Sequence, residues 1–188
     1  MLFEQAGEFI LNKLQNEIPA NLCYHNIHHT HDVRAAAEML GKAEHISADD
    51  MKLLLTAACY HDSGFLNVLH EHEAESCRIA KENLPGFGFN DEAIERICGM
   101  IMATQIPQLP KNKLEQILAD ADLDYLGRDD FFNIGDTLYH ERGLKDRDEW
   151  NMTQLNFMQQ HHYFTQTALN LRRPKKQENL EKVKALLR

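Results

Sequence analysis

The stretch TAACYHDSGF, Thr56 to Phe65, ends an apolar helical pattern with two metal-binding side chains placed where buried residues belong. The stripe runs Met51, Leu54, Leu55, Ala58, and the next positions on that face, at three- and four-residue spacing, are His61 and Asp62. The doublet therefore faces the core. A buried carboxylate is costly unless a cation neutralises it, and a divalent metal ion does so. Gly64 then lets the chain turn away.

On the N-terminal side, Ser47 with Asp50 three residues later resembles a cap that starts this helix. Before it, Val33, Ala36, Ala37 and Leu40 form the stripe of a short helix expected to stop at Gly41. If that helix starts near Ile27, His29 projects from the same stripe and can look toward the doublet. On the C-terminal side, a helix from about Lys111 to Gly127 carries Leu114, Ile117, Leu118, Ala121, Asp122 and Tyr125 on one face. Helical phase turns Asp120 and Asp124 about 200° away from Asp122, so they are expected to face outward. His29, His61, Asp62 and Asp122 thus make a mixed nitrogen and oxygen set for one divalent ion, suited to Mn²⁺, Fe²⁺, Ni²⁺, Co²⁺ or Mg²⁺.

The remaining pattern is helical throughout. Residues 2–16 form an amphipathic segment closed by Pro19, and helices follow over about 72–83, 91–103, 129–141 and 148–172, with a last one from about 176. No run alternates long enough for a strand, and nothing repeats. The expected fold class is an all-α bundle of about eight or nine helices spanning 1–188, with a metal-site core over about 24–127 and C-terminal helices over 129–188. At 188 residues and 43% hydrophobic content, one core suffices.

A net charge of −9 argues against nucleic acid as the main partner. The basic cluster Arg172, Arg173, Lys175 and Lys176 reads as a solvated helix end. Cys23, Cys59, Cys77 and Cys98 form no CxxC pair, and three of them lie in apolar patterns, which predicts reduced thiols. No leader opens the chain and no apolar run approaches the ~20 residues that span a bilayer, so a cytoplasmic protein with no membrane contact is expected.

These residues resemble the H…HD…D signature of the HD-domain metal-dependent phosphohydrolases. The similarity runs from about Tyr24 to Gly127 through YHNIHHTHDV, LLLTAACYHDSGF, HEAES and LADADLDYLG. The resemblance implies a single all-helical HD domain that hydrolyses a phosphate ester or anhydride, commonly in a nucleotide, with water activated on the metal. HNIHH is similar to the HNxxH arrangement of cyclic-nucleotide phosphodiesterases, which implies His29 as ligand and His25 as general acid. Asp62 is then both ligand and catalytic residue. His72 matches the HE block and implies a contact to the substrate or to a ligand, with His70 next in line. Members with two metals carry a further histidine near the place where this chain has Thr104 in MIMATQIP, so a second metal is not expected.

The resulting expectation is a metal-dependent phosphatase or phosphodiesterase acting on a small phosphorylated metabolite, a nucleotide first of all. The alternative is a nucleotide- or metal-binding signalling module without turnover, to which the missing histidine near Thr104 points. His28, His31, His45 and His140 read as surface residues, and His161 and His162 as packing residues on a long helix. Arg34 and Lys81 are cations nearby along the chain, and the loops 63–71 and 84–90 are the expected determinants of substrate choice.

Overall fold

The computed structural model describes residues 1–187. Among them the protein is all helical, with nine α-helices and no strand: α1 Phe3–Glu17, α2 Ile27–Ala43, α3 Ala48–Tyr60, α4 His72–Asn83, α5 Asp91–Met102, α6 Lys113–Asp122, α7 Phe131–Glu141, α8 Arg147–Gln160 and α9 Gln166–Leu186. Short 3-10 turns at Ser63–Leu66, Leu84–Phe87 and Asp124–Gly127 follow α3, α4 and α6. None of the helices is long and apolar enough to cross a membrane.

Side-chain caps set where the helices begin. The Asn26 carboxamide oxygen accepts from the amides of His28 and His29, which starts α2 at Ile27 and puts His29 in its first turn. Ser47, Asn90, Asn112 and Thr165 do the same for α3, α5, α6 and α9. The main core lies among α1 to α6 and is filled by Ile10, Leu14, Leu40, Leu54, Ile97, Ile101, Ile117 and Leu118. A second apolar cluster, Tyr24, Leu126, Phe131, Met158, Leu180 and Val183 among it, packs the C-terminal helices against the turn after α6.

Three features differ from the periodicity reading. Gly41 does not stop α2, which runs on to Ala43; a Cβ there would lie 2.8 Å from Met51 Cε and 3.1 Å from Leu54 Cδ2. The glycine serves close packing of α2 on α3. The expected helix over 148–172 is broken after Gln160, because buried Asp120 accepts from the amides of Phe164 and Thr165 and holds the chain extended there, while Thr165 caps a new helix. That helix then continues through Pro174, where a boundary was expected. The lost amide hydrogen bond is offset by burial of Lys176, Asn179, Leu180 and Val183, and by Asn179 donating to the carbonyls of Leu126 and Arg128. His161 and His162 consequently lie in a connecting segment.

Candidate metal centre and cleft

Three helices aim polar side chains at one point. His29 comes from the first turn of α2, His61 and Asp62 from the end of α3, and Asp122 from the last residue of α6. His61 is fully buried, and its Nδ1 lies 2.8 Å from the carbonyl oxygen of Ala58. A carbonyl only accepts, so Nδ1 carries a hydrogen and Nε2 is the nitrogen left for the centre.

The distances from the two imidazoles are nearly uniform, and His29, His61 and Asp122 form the group whose ligand atoms all lie within 4.8 Å of one another. His29 Nε2 lies 3.4 Å from His61 Nε2, 3.4 Å from Asp62 Oδ2 and 3.2 Å from Asp122 Oδ1. His61 Nε2 lies 3.3 Å from Asp62 Oδ2 and 3.5 Å from Asp122 Oδ1. Ligand atoms about 2.1 Å from a shared ion stand roughly 3 to 4 Å from each other, which is this spacing. Asp62 Oδ2 is buried and accepts no hydrogen bond. A buried carboxylate oxygen left in this way, beside two imidazole nitrogens, fits a cation bound between them. The donor set of two nitrogens and two oxygens suits a first-row divalent ion or Mg²⁺.

The same crowding shapes the protonation of the metal-free centre. Burial pushes His29 and His61 down, but the Asp122 and Asp62 carboxylates outweigh it, raising His29 to about 9 and His61 well above its ordinary value. Burial pushes the two carboxyls up, and the neighbouring histidines more than reverse it, drawing Asp122 to about 2 and Asp62 well below its ordinary range. Without an ion the imidazoles carry the neutralising charge themselves.

The supporting residues divide between those the sequence suggested and those it hid. His72 Nε2 stands 3.4 Å from Asp62 Oδ1, so Asp62 turns one oxygen to the centre and the other to His72. Gly64 permits this placement: a Cβ on it would lie 2.0 Å from the His72 carbonyl oxygen, so the glycine serves a close crossing at the start of α4. His70, the other residue suggested for the substrate or a ligand, is exposed and does not line the cleft beside the centre. His25 does line it, with its ring tilted against Phe65 at a centroid separation of 4.4 Å.

His25 is held by Glu141, the last residue of α7, which pattern reading passed over. The carboxylate accepts from the amides of Tyr24 and His25 at 2.7 and 2.9 Å and makes a short contact with His25 Nδ1. Burial alone would raise the Glu141 carboxyl, and these donors hold it below the usual range. A lone acidic residue at a helix C-terminus, 116 positions from His25, leaves no signal in the sequence.

Asp120 and Asp124 do not face outward as expected. Asp120 is 0% exposed and accepts from the amides of Phe164 and Thr165 and from the Thr165 hydroxyl at 2.7 to 2.8 Å. Asp124 is 3% exposed, accepts from Arg172 Nε at 2.6 Å and faces Arg128. Both flanks of this segment are covered, by the connection between α8 and α9 and by α9, so the face away from the centre is buried and polar.

The cleft that opens from Asp62 and Asp122 has about 860 Å³ of empty space, part of it open solvent. Its walls come from α7, α8 and the turn after α6, with Ile106 and Thr104 at one edge. The loop 84–90 takes no part in it, and from the loop 63–71 no residue lines it either. Thr104 turns its hydroxyl to the carbonyl of Ile101 at 2.8 Å. Arg34 borders a different hollow beside Cys59, and Lys81 pairs with Glu95 on the surface; the cation in the cleft is Arg142. Cys59, Cys77 and Cys98 are buried free thiols, as expected, and Cys23 is an exposed one.

No protein-family model and no curated protein matches the sequence. Two solved structures do match in fold. A predicted HD superfamily hydrolase from an uncultured Thermotogales bacterium is 18% identical with a TM-score of 0.66, over 98% of this chain and 90% of that one. A Lactobacillus plantarum protein solved as a structural-genomics target is 17% identical with a TM-score of 0.75, over 99% and 97% of the two chains. With near-complete coverage in both directions, this chain shares the all-helical fold of both structures, one of them a predicted HD superfamily hydrolase.

Proposed function

We propose that the protein is a metal-dependent phosphohydrolase that cleaves a phosphate ester or anhydride of a small phosphorylated metabolite, a nucleotide in the first instance. The observation that carries this reading is the convergence of His29, His61, Asp62 and Asp122, with one Asp62 oxygen buried and unpartnered. His29, His61, Asp62 and Asp122 would hold a divalent ion, which would supply Lewis acidity toward a phosphoryl oxygen and lower the pKa of water near neutral pH.

The protein's own side chains do the remaining work. Glu141 holds His25 by Nδ1, so Nε2 is the nitrogen available to the cleft, from which it donates a proton to the departing oxygen. His72 steadies Asp62 from behind.

The test is phosphate release from a panel of phosphate esters and nucleotides by protein loaded with Mn²⁺, beside Asp62→Ala. The expected result is metal-dependent turnover that Asp62→Ala abolishes. A panel that stays inert with metal bound removes the enzyme reading and leaves a binding module.

A further inference from the structure

The cleft has a marked imbalance between charge and apolar surface. Three carboxylates, Asp62, Glu73 and Asp122, line it against a single cation of the Lys or Arg type, Arg142. Much of the remaining wall is Tyr125, Phe131, Leu138, Trp150, Phe157 and Met158. Phe131 lies nearly parallel to Tyr125 at a 12° interplanar angle, and Trp150 is buried with the Arg142 guanidinium 5.7 Å from its ring centroid. The walls are therefore flat and aromatic.

Arg142 differs from the arginines around it. Arg128 is paired with Asp32 and Asp130, Arg172 with Asp124, and Arg147 with Asp136. Among the described residues no carboxylate pairs with Arg142, although Glu141 beside it is fully engaged with His25. A guanidinium at the mouth of an acidic, aromatic cleft with no anion of its own is set to receive one from a ligand. With one divalent ion bound, Arg142 is the one Lys or Arg counter-charge in a cleft lined by three carboxylates, so a single phosphoryl group can pair with it while each further phosphate is opposed by the carboxylates.

We propose that the cleft selects a phosphomonoester with one phosphoryl group on a flat, weakly polar group, and that Arg142 is a specificity-determining residue binding a phosphoryl oxygen. Polyphosphate chains are excluded by charge, and the aromatic wall takes the organic group. This rests on the reading of the centre as a phosphohydrolase site.

Trp150 is the one tryptophan of the chain, so its emission reports binding without any need for turnover. The Mn²⁺-loaded protein is titrated with phenylphosphonate, which cannot be hydrolysed, and with methylphosphonate, which lacks the ring. Phenylphosphonate should bind at least about tenfold tighter, and Arg142→Ala should weaken it about ten- to a hundredfold, with partial recovery in Arg142→Lys. Arg142 is exposed, so its loss should leave thermal stability unchanged. In parallel, phosphate release is compared for phenyl phosphate and inorganic tripolyphosphate, with Mn²⁺ in excess of either, and phenyl phosphate should be the better substrate. Equal binding of the two phosphonates, unchanged affinity in Arg142→Ala, or faster release from tripolyphosphate overturns the proposal. If the phosphonates bind as expected and nothing in either panel is hydrolysed, the enzyme reading falls while the preference of the cleft stands.

Discussion

Exchanging Asp120 and Asp122 separately for asparagine should give opposite phenotypes from residues two positions apart. Asp122 contributes a charge to the centre, 3.2 Å from His29 Nε2 and 3.5 Å from His61 Nε2. Asp122→Asn keeps the shape and removes that charge, so Mn²⁺ affinity should fall by more than the ~10–100-fold typical of residues standing behind a ligand. Asp120 takes three donors, the amides of Phe164 and Thr165 and the Thr165 hydroxyl, in a site closed to solvent. In Asp120→Asn the carboxamide oxygen satisfies some of these, but its NH₂ meets another donor. One to two charge-assisted hydrogen bonds are lost, at ~1.5–3 kcal/mol each. Burial lifts the Asp120 carboxyl above its usual range against those same donors, so the charge is costly to keep and the net loss is about 2 kcal/mol. For a chain of this length that lowers Tm by about 4–8 °C. Isothermal titration with Mn²⁺ and thermal melts of the metal-free variants provide both readings. Loss of metal in Asp120→Asn with retention in Asp122→Asn would refute the assignment of the inner face of α6.

Metal binding should release protons at neutral pH, because His29 is held at about 9 and His61 is also raised. Mn²⁺ affinity should climb from pH 6 toward 9, and calorimetry in buffers of different ionisation enthalpy should count the protons; a flat profile would contradict the histidine ligands. In the metal-free protein the raised His29 stabilises the fold below its unfolded value near 6.5 and loses that effect as pH rises through about 9, whereas Asp122 stabilises above its unfolded value near 3.8 and loses it as pH falls toward about 2. Thermal melts should therefore be highest between about pH 4 and 6.5. Glu141→Gln should leave Mn²⁺ affinity unchanged and lower kcat about 10- to 100-fold while shifting the pH-rate profile, since the residue acts through His25. A matching loss of metal would place Glu141 in the centre's support instead.

The parts legible in the sequence are those where a polar residue interrupts an apolar stripe. His61, Asp62 and Asp122 sit at positions where helical phase demands burial, and Asn26 caps α2 so that His29 shares its inner face. The same logic failed on Asp120 and Asp124. Periodicity identifies one apolar face and assigns the rest to solvent, so a second buried face made of carboxylates, amides and guanidinium groups has no signature. The break at His161 to Phe164 was hidden for a related reason. It is held open by Asp120, a residue more than 40 positions away, and no local turn chemistry marks it.

That concealed face also explains why the walls of the cleft come from the C-terminal helices and not from the loops 63–71 and 84–90. Arg172 and Asn179 bind α9 to the turn after α6, by pairing with Asp124 and donating to the carbonyls of Leu126 and Arg128, and this docking closes the second apolar cluster around Phe131 and Met158. The cluster carries α7, whose last residue Glu141 reaches back to His25 and whose following residue Arg142 faces the cleft. The proposed ligands thus come from helices within the first 122 residues, whereas the groups proposed to orient a proton donor and to meet a substrate come from a part of the chain with no sequence motif. Each of these looks in sequence like an ordinary charge at a helix end. Their common cause is the buried aspartate and arginine network, so weakening it should disturb substrate recognition before it disturbs the metal. Arg172→Ala leaves Asp124 buried with only the more distant Arg128, and a charge stripped of its closest partner costs ~3–5 kcal/mol. Phenylphosphonate affinity should drop in this variant while the metal content of the folded protein stays near one ion per chain. Loss of both together would mean that the two halves of the site are not separable, and that the C-terminal helices hold the ligands as well.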